Sequence, residues 1–94
     1  MNLYLITFQM ADDDGIRYHT MVNAIKDYGL WARLTRATWC IKSESKTTAE
    51  IRATLIERCP LQNSERLMVV NISSSPWASY NIPTDVANWL KDDK

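Results

Sequence analysis

Residues 3–10 read LYLITFQM, an apolar run rich in strand-forming residues that stops at Asp12-Asp13-Asp14-Gly15. The run is too short for a helix and continuous enough to be enclosed on both faces, so it predicts a buried central strand, β1 (residues 3–10). The chain that follows supplies the elements that pack against this strand.

The segment after β1 has helical spacing. Tyr18, Met21, Val22 and Ile25 recur at intervals of one to three residues along one side, and Gly29 supplies a C-terminal stop. This pattern predicts helix α1 over residues 16–28. Asp13 or Asp14 is the expected N-cap, because a short carboxylate can accept hydrogen bonds from the free amides of the first turn.

Two short strands are predicted next, β2 over residues 30–34 and β3 over residues 38–42. Their connection, residues 35–37, lacks the Asn-Gly or Asp-Gly signal of a tight hairpin. Alternation predicts one face with Ala32, Leu34, Trp39 and Ile41. It predicts that the other face carries Trp31, Arg33, Thr38, Cys40 and Lys42.

The second half of the chain repeats the helix–strand order. Thr47 and Glu50 have the spacing of a capping box, which predicts the start of helix α2, and Pro60 ends it. Residues 66–72, with the apolar residues 67–70 at their centre, predict strand β4, buried on both faces. Residues 77–80 are expected to add a short edge segment, and Thr84 is expected to cap a last short helix, α3.

The order strand–helix–strand–strand–helix–strand predicts an α+β fold of the ferredoxin-like type, a βαββαβ antiparallel sheet with two helices on one face, plus the C-terminal edge segment and helix. The 94 residues suit one domain, 1–94. The other sheet face would be open and would carry Trp31, Arg33 and Cys40. An exposed face of this kind predicts association into a homodimer.

Composition narrows the functional classes. Eleven basic and eleven acidic residues cancel, so nucleic-acid binding would need a local basic patch. The sequence has no apolar run of 18 residues and no signal-peptide pattern at its start, which predicts a cytoplasmic protein with no membrane segment. Cys40, Cys59 and the single histidine, His19, do not form a zinc motif, and no cofactor is predicted.

Several stretches resemble a known family. They are residues 3–8, Tyr18 with residues 24–29, residues 31–39, residues 49–52 and residues 66–70. Together they are similar to the small SinR-like proteins, which are relatives of the CRISPR-associated Cas-two family and, more distantly, of VapD-type toxin ribonucleases. The resemblance implies a ferredoxin-like homodimer whose sheets pack together. It also implies an aspartate at the end of β1 that binds a divalent metal for phosphodiester cleavage, and Gln9 stands at that place.

Gln9 changes the expected chemistry, because a neutral amide is a poorer ligand for Mg²⁺ than a carboxylate. The neighbouring Asp12, Asp13 and Asp14 are alternative catalytic ligands for Mg²⁺ or Mn²⁺. The same three residues also suit a solvated loop that caps α1 and complements its dipole. His19 could serve as an acid or base but has no sequence-adjacent partner, so a helical surface or half-buried residue is the simpler interpretation.

The remaining candidates concern binding. A nucleic-acid patch is predicted from basic residues interleaved with an aromatic ring: Trp31, Arg33, Arg36, Lys42 and Lys46. Arg17 and Lys26 on α1 could extend this patch. A dimer interface is predicted from large aromatic residues: Trp31, Trp77 and Tyr80. Trp89 is expected either at an interface or in a pocket.

The sequence therefore predicts a non-catalytic, Cas-two-like homodimeric module that binds RNA, DNA or a protein partner. The alternative is a metal-dependent nuclease or toxin that uses the cluster Asp12–Asp14.

Overall fold

The computed structural model describes residues 1–12 and 15–92. Its elements are β1 (Asn2–Gln9), α1 (Ile16–Lys26), β2 (Trp31–Thr35), β3 (Thr38–Ser43), α2 (Thr48–Arg58), β4 (Arg66–Asn71) and α3 (Thr84–Lys91). The predicted order of strands and helices is confirmed, including the C-terminal helix. The predicted edge segment is wrong, because residues 77–80 have irregular backbone outside the sheet.

The four strands form one antiparallel sheet in the order β2-β3-β1-β4. β1 is central, as its apolar run predicts. β4 was expected to be buried on both faces, but it lies at an edge of the sheet and is covered on one face only. Met68 and Val70, which pair with Thr7 and Leu5 on the face away from the helices, are 60% and 37% exposed. An apolar run alone cannot separate an edge strand from a central one.

Helices α1 and α2 pack together on one face of the sheet, the helix face. Alternate residues of β1 and β3 point into this core. The fully buried side chains here are Tyr4, Ile6, Met21, Ile25, Ile41, Ile51 and Leu55. Their burial is the main source of stability, at about 1.5–3 kcal/mol for each large apolar side chain removed from water.

The capping box of α2 is confirmed. The Glu50 amide donates to Thr47 Oγ1 at 3.2 Å, and the Thr47 amide donates to Glu50 Oε1 at 2.9 Å. The N-cap of α1 is Gly15, while Asp13 and Asp14 lie outside the described residues. The predicted cap of α3 is wrong: the N-cap is Pro83, and no side chain hydrogen-bonds to the amides there.

A bulge in β2 reverses the predicted face of this strand. Thr35 lies opposite Thr38, so the turn between β2 and β3 contains two residues. In a regular ladder, Leu34 would then lie opposite Trp39. The register shifts between Arg33 and Thr35, which brings Arg33 opposite Trp39 and Trp31 opposite Ile41. Trp31 and Arg33 therefore lie on the helix face and not with Cys40, because directly paired residues share a face.

The second face of the sheet is covered on its β2–β3 side and open at β4. Residues 72–92, which we call the C-terminal cover, fold back over Leu5, Leu34 and Cys40. Cys40 is completely buried, whereas Leu5 and Leu34 are half-buried. No pattern in the sequence indicates that the chain covers part of its own second face. Within the described residues, the helices are all too short and too polar to cross a membrane.

Candidate functional site

A groove of about 410 Å³ runs between the edge strand β2 and helix α3. Trp31 and Arg33 form its β2 side, and both are exposed. Trp89 and Asp85 line it from α3. The lining residues are Trp31, Ala32, Arg33, Pro83, Asp85, Val86 and Trp89. Two indole rings, one guanidinium and one carboxylate in a single groove can bind a planar polar ring and an attached anion.

The local structure explains why these side chains meet. The bulge in β2 places Trp31 and Arg33 on the helix face of this edge strand, whereas α3 approaches the same strand from the second face, so the groove follows the edge of the sheet. In α3, Asp85 and Trp89 are separated by four residues, so they lie on the same side of the helix. Leu90, the next residue, instead lines the cavity above the sheet. One side of α3 therefore lines the groove, and another side lies above the sheet as part of the C-terminal cover.

Each tryptophan of the groove has a lysine ammonium above its ring. Lys26 Nζ lies 5.0 Å from the centroid of Trp31 and 5.8 Å from that of Trp39. The Trp31 and Trp39 rings are 5.4 Å apart at 45°. Lys42 Nζ lies 4.2 Å from the centroid of Trp89. Such cation–π contacts fix the orientation of both indoles.

Lys42 was predicted to contact nucleic acid, and the structure corrects this prediction. The residue is only 6% exposed. Its ammonium donates hydrogen bonds to the carbonyl oxygen of Trp89 at 2.5 Å and to that of Asp92. A positive charge at the C-terminal end of a helix is stabilised by the helix dipole. Lys42 therefore holds α3 in place and presents no ammonium to a partner.

Of the other predicted patch residues, Trp31 and Arg33 come together in the groove. Arg36 lies in the β2–β3 turn, where its guanidinium is 5.2 Å from the Tyr18 centroid. Lys46 is exposed in the connection before α2, and its carbonyl accepts a hydrogen bond from the Tyr4 hydroxyl. Lys46 does not line the groove.

A second cleft, of about 240 Å³, opens where β1 ends. Gln9, Asp12, Tyr18 and Arg36 are among its lining residues, so the neutral strand end and the first residue of the acidic cluster share one site. Asp12 Oδ1 accepts a hydrogen bond from the Gly15 amide at 3.0 Å. Asp13 and Asp14 lie outside the described residues. Among the residues that are described, no group of three or more His, Cys, Asp and Glu is placed to hold a metal.

Arg17, a predicted extension of the patch, is occupied elsewhere. Its guanidinium forms an ion pair with Glu65 and donates to the Pro60 carbonyl at 2.7 Å. Glu65 also accepts from the amides of Ala11 at 2.9 Å and Gln62 at 2.8 Å. The hydrogen bonds from Arg17, with the backbone bonds, lower the pKa of Glu65 to about 2. This cluster ties α1 to the α2–β4 connection.

The predicted dimer residues Trp77 and Tyr80 lie in the C-terminal cover. Tyr80 is 94% exposed and Trp77 is 40% exposed. His19 is an exposed helical residue, and its ring makes an edge contact with Tyr18 at 5.3 Å. None of these three residues lines the groove.

Sequence reasoning missed Asp85 altogether and left the place of Trp89 open. The available signal was the four-residue spacing of Asp85 and Trp89 in a short helix. That spacing shows that they share a side, but it does not identify β2 as the neighbour.

Comparisons with models of protein families, with curated proteins and with solved structures gave no match.

Proposed function

We propose that this chain is a non-catalytic, Cas-two-like module that binds single-stranded nucleic acid in the groove between β2 and α3, and that it acts as a homodimer. The observation that carries the proposal is the groove itself, which combines Trp31 and Trp89 with Arg33. Unpaired bases stack on aromatic rings, while guanidinium and ammonium groups bind the phosphates. A duplex hides the base faces that such rings would contact.

The charge distribution supports modest, salt-sensitive binding. The chain has no net charge, but Lys26 and Arg33 place two cations beside Trp31. The Asp85 carboxylate repels phosphate at the α3 side of the groove. It is suited to accept a hydrogen bond from a base amino group. Two phosphate contacts correspond to a slope of about −1.4 in a plot of log affinity against log salt for a single strand.

The proposal also draws on the resemblance to the Cas-two family, and the strand order supports it. Read from β4, the strand order is β4-β1-β3-β2. Helix α1 links β1 to β2, and helix α2 links β3 to β4; in both cases one other strand lies between the two linked strands. This order supports assignment to the ferredoxin-like type. In that assignment Gln9 takes the place of the metal-binding aspartate, which favours binding over cleavage. Two buried free cysteines suit the reducing cytoplasm.

Fluorescence anisotropy with labelled oligouridylate and oligothymidylate at low salt tests the binding proposal. Replacing Trp31 with Ala should weaken binding by about 1–3 kcal/mol. Arg33→Ala should reduce the salt slope by about 0.7. Arg52→Ala is the matched control, because Arg52 is an exposed arginine on α2 away from the groove. No binding to either oligonucleotide, or equal losses for Arg33→Ala and Arg52→Ala, would overturn the proposal.

The cleft at the end of β1 favours one alternative, a metal-dependent nuclease that uses Asp12 with Asp13 and Asp14. Asp12 shares this cleft with Arg36, which could stabilise charge on a phosphate. Labelled RNA and DNA incubated with Mg²⁺ or Mn²⁺ distinguish the two functions. Cleavage that Asp12→Asn abolishes would replace the binding proposal. Absence of both cleavage and binding would favour a protein partner.

The homodimer is proposed to form through Trp77 and Tyr80, with Trp31 assigned to the groove. Both rings are exposed, and large exposed rings are typical anchors of protein–protein contacts. Light scattering should give a dimer mass for the parent chain and a lower mass for Trp77→Ala. A parent chain that is monomeric at all concentrations would end this part of the proposal.

A further inference from the structure

The C-terminal cover is attached to the sheet at its two ends. At its start, the Leu3 amide donates to Ser73 Oγ at 2.8 Å, and the Ile72 amide donates to the Leu3 carbonyl at 2.8 Å. At its far end, Lys42 donates to the carbonyls of Trp89 and Asp92. Within the described part of the chain, the hydrogen bonds between cover and sheet are confined to these two ends.

Packing between these ends is loose. Helix α3 contributes no buried residue. Cavities of about 290 Å³ and 250 Å³ remain beneath the cover, and Trp77 and Leu90 line both of them. The buried core cluster contains no residue of the cover. Moving the cover therefore leaves the packing of the sheet against α1 and α2 unchanged.

Lys42 is the strongest contact between the cover and the sheet. It projects from β3, a strand paired on both sides, so its position is fixed by the sheet. Hydrogen bonds from a charged donor are stronger than neutral ones, and here they reach the helix end where the dipole is negative. The contact of its ammonium with the Trp89 ring adds a third interaction to the same helix.

We propose that the C-terminal cover is a lid that opens as a unit from an otherwise folded sheet, and that Lys42 is the latch that holds it closed. Opening exposes Leu5, Leu34 and Cys40 and removes the Trp89 side of the groove. The latch is a property of the folded chain alone, so it stands whether or not the groove binds nucleic acid.

Two free cysteines on opposite faces provide the test. Cys40 is 0% exposed beneath the cover, and Cys59 is 2% exposed in the core cluster at the end of α2. Burial raises the pKa of Cys40 to about 11, so the covered thiol is protonated and unreactive near neutral pH. A thiol reagent such as 5,5′-dithiobis(2-nitrobenzoate) therefore modifies Cys40 through an open state, and peptide mass analysis assigns each modified cysteine.

The latch predicts that Lys42→Met accelerates the labelling of Cys40 by roughly tenfold to a hundredfold, the range expected when hydrogen bonds from a charged donor are lost. In the parent chain and in the variant alike, Cys40 should be labelled faster than Cys59, since local opening leaves the core closed. Lys46→Met is the matched control, because Lys46 is an exposed lysine in the connection just beyond β3, and it should change neither rate.

Leu90→Ala provides a second variant that leaves β3 intact, in case Lys42→Met does not fold. Removing this side chain weakens the packing of the cover and should also accelerate Cys40 labelling. Equal labelling rates of Cys40 and Cys59 in the parent chain would mean that both thiols are reached only by global unfolding, and would overturn the lid. An unchanged Cys40 rate in Lys42→Met would overturn the latch.

Discussion

The two faces of one sheet are packed very differently. On the helix face, Tyr4, Ile6 and Ile41 are fully buried against α1 and α2. On the second face, Leu5 and Leu34 are only half-buried, and cavities remain beneath the cover. The strands are the same, so the difference comes from what covers each face. One face supplies most of the stability, and the other carries a loosely packed segment.

Two charged residues that are buried in the described part of the chain show the same contrast. Glu65 accepts hydrogen bonds from the Arg17 guanidinium and from two backbone amides, so an ion pair and the backbone both hold it. Lys42 donates to carbonyls at one helix end and contacts an indole ring. Glu65 joins elements on the helix face of the sheet. Lys42 instead holds the C-terminal cover, which contributes no residue to the buried core cluster.

The largest expected effect is on the helix face. Ile41→Ala removes a fully buried side chain and should lower the free energy of unfolding by about 2–5 kcal/mol. Chemical denaturation monitored by circular dichroism measures this loss. A loss below about 1 kcal/mol would contradict the assignment of stability to this face.

The next effect depends on pH. The pKa of Glu65 is lowered in the folded chain to about 2, so its contribution to stability is present above the unfolded pKa of about 4.3 and is lost as the pH falls toward 2. Denaturation midpoints measured across this window should fall with acid. Glu65→Gln should lower the midpoint at neutral pH, by less than Ile41→Ala does, and should flatten the acid dependence. An acid dependence that is identical in both proteins would refute this role.

A smaller effect is expected on the second face. Leu90→Ala should lower the free energy of unfolding by about 1 kcal/mol, because Leu90 is only half-buried beside existing cavities. The same denaturation measurement applies. A loss as large as that of Ile41→Ala would remove the contrast between the faces.

The smallest effect concerns the backbone of the cover. Ser74 has a φ of +61°, in the left-handed region that favours glycine. Ser74→Gly should raise stability by less than about 1 kcal/mol, because relief of strain exceeds the added freedom of the unfolded chain. Ser75→Gly is the control without a positive φ, and its stability should fall slightly. If both changes are destabilising to the same degree, the strain at Ser74 is negligible.

Local patterns in the sequence predicted the elements well. The Thr47–Glu50 box located the start of α2, and the apolar run of β1 identified the central strand. These signals work because the interacting groups are close in the chain. The sequence also brought together Trp31 and Arg33, since residues two apart in a strand share a face.

The errors concern relations between distant segments. The sequence does not show which basic side chains are used inside the fold. Lys42 hydrogen-bonds to the end of α3, and Arg17 forms an ion pair with Glu65. Nothing near Lys42 in the chain indicates that residues 89 and 92 return to it. The groove could not be predicted for the same reason, because Asp85 and Trp89 reach β2 only after the cover has folded back.

The bulge in β2 has a consequence for changes in chain length. Deleting Leu34 would remove the bulge and restore a regular ladder, because Arg33 would then adjoin Thr35 and stay opposite Trp39, with Trp31 opposite Ile41. The chain would be one residue shorter, yet its indole and guanidinium would keep their face of the sheet. Deleting Arg33 while the bulge is kept would instead move Trp31 to the other face, so a one-residue deletion in β2 should be tolerated best at the bulge itself.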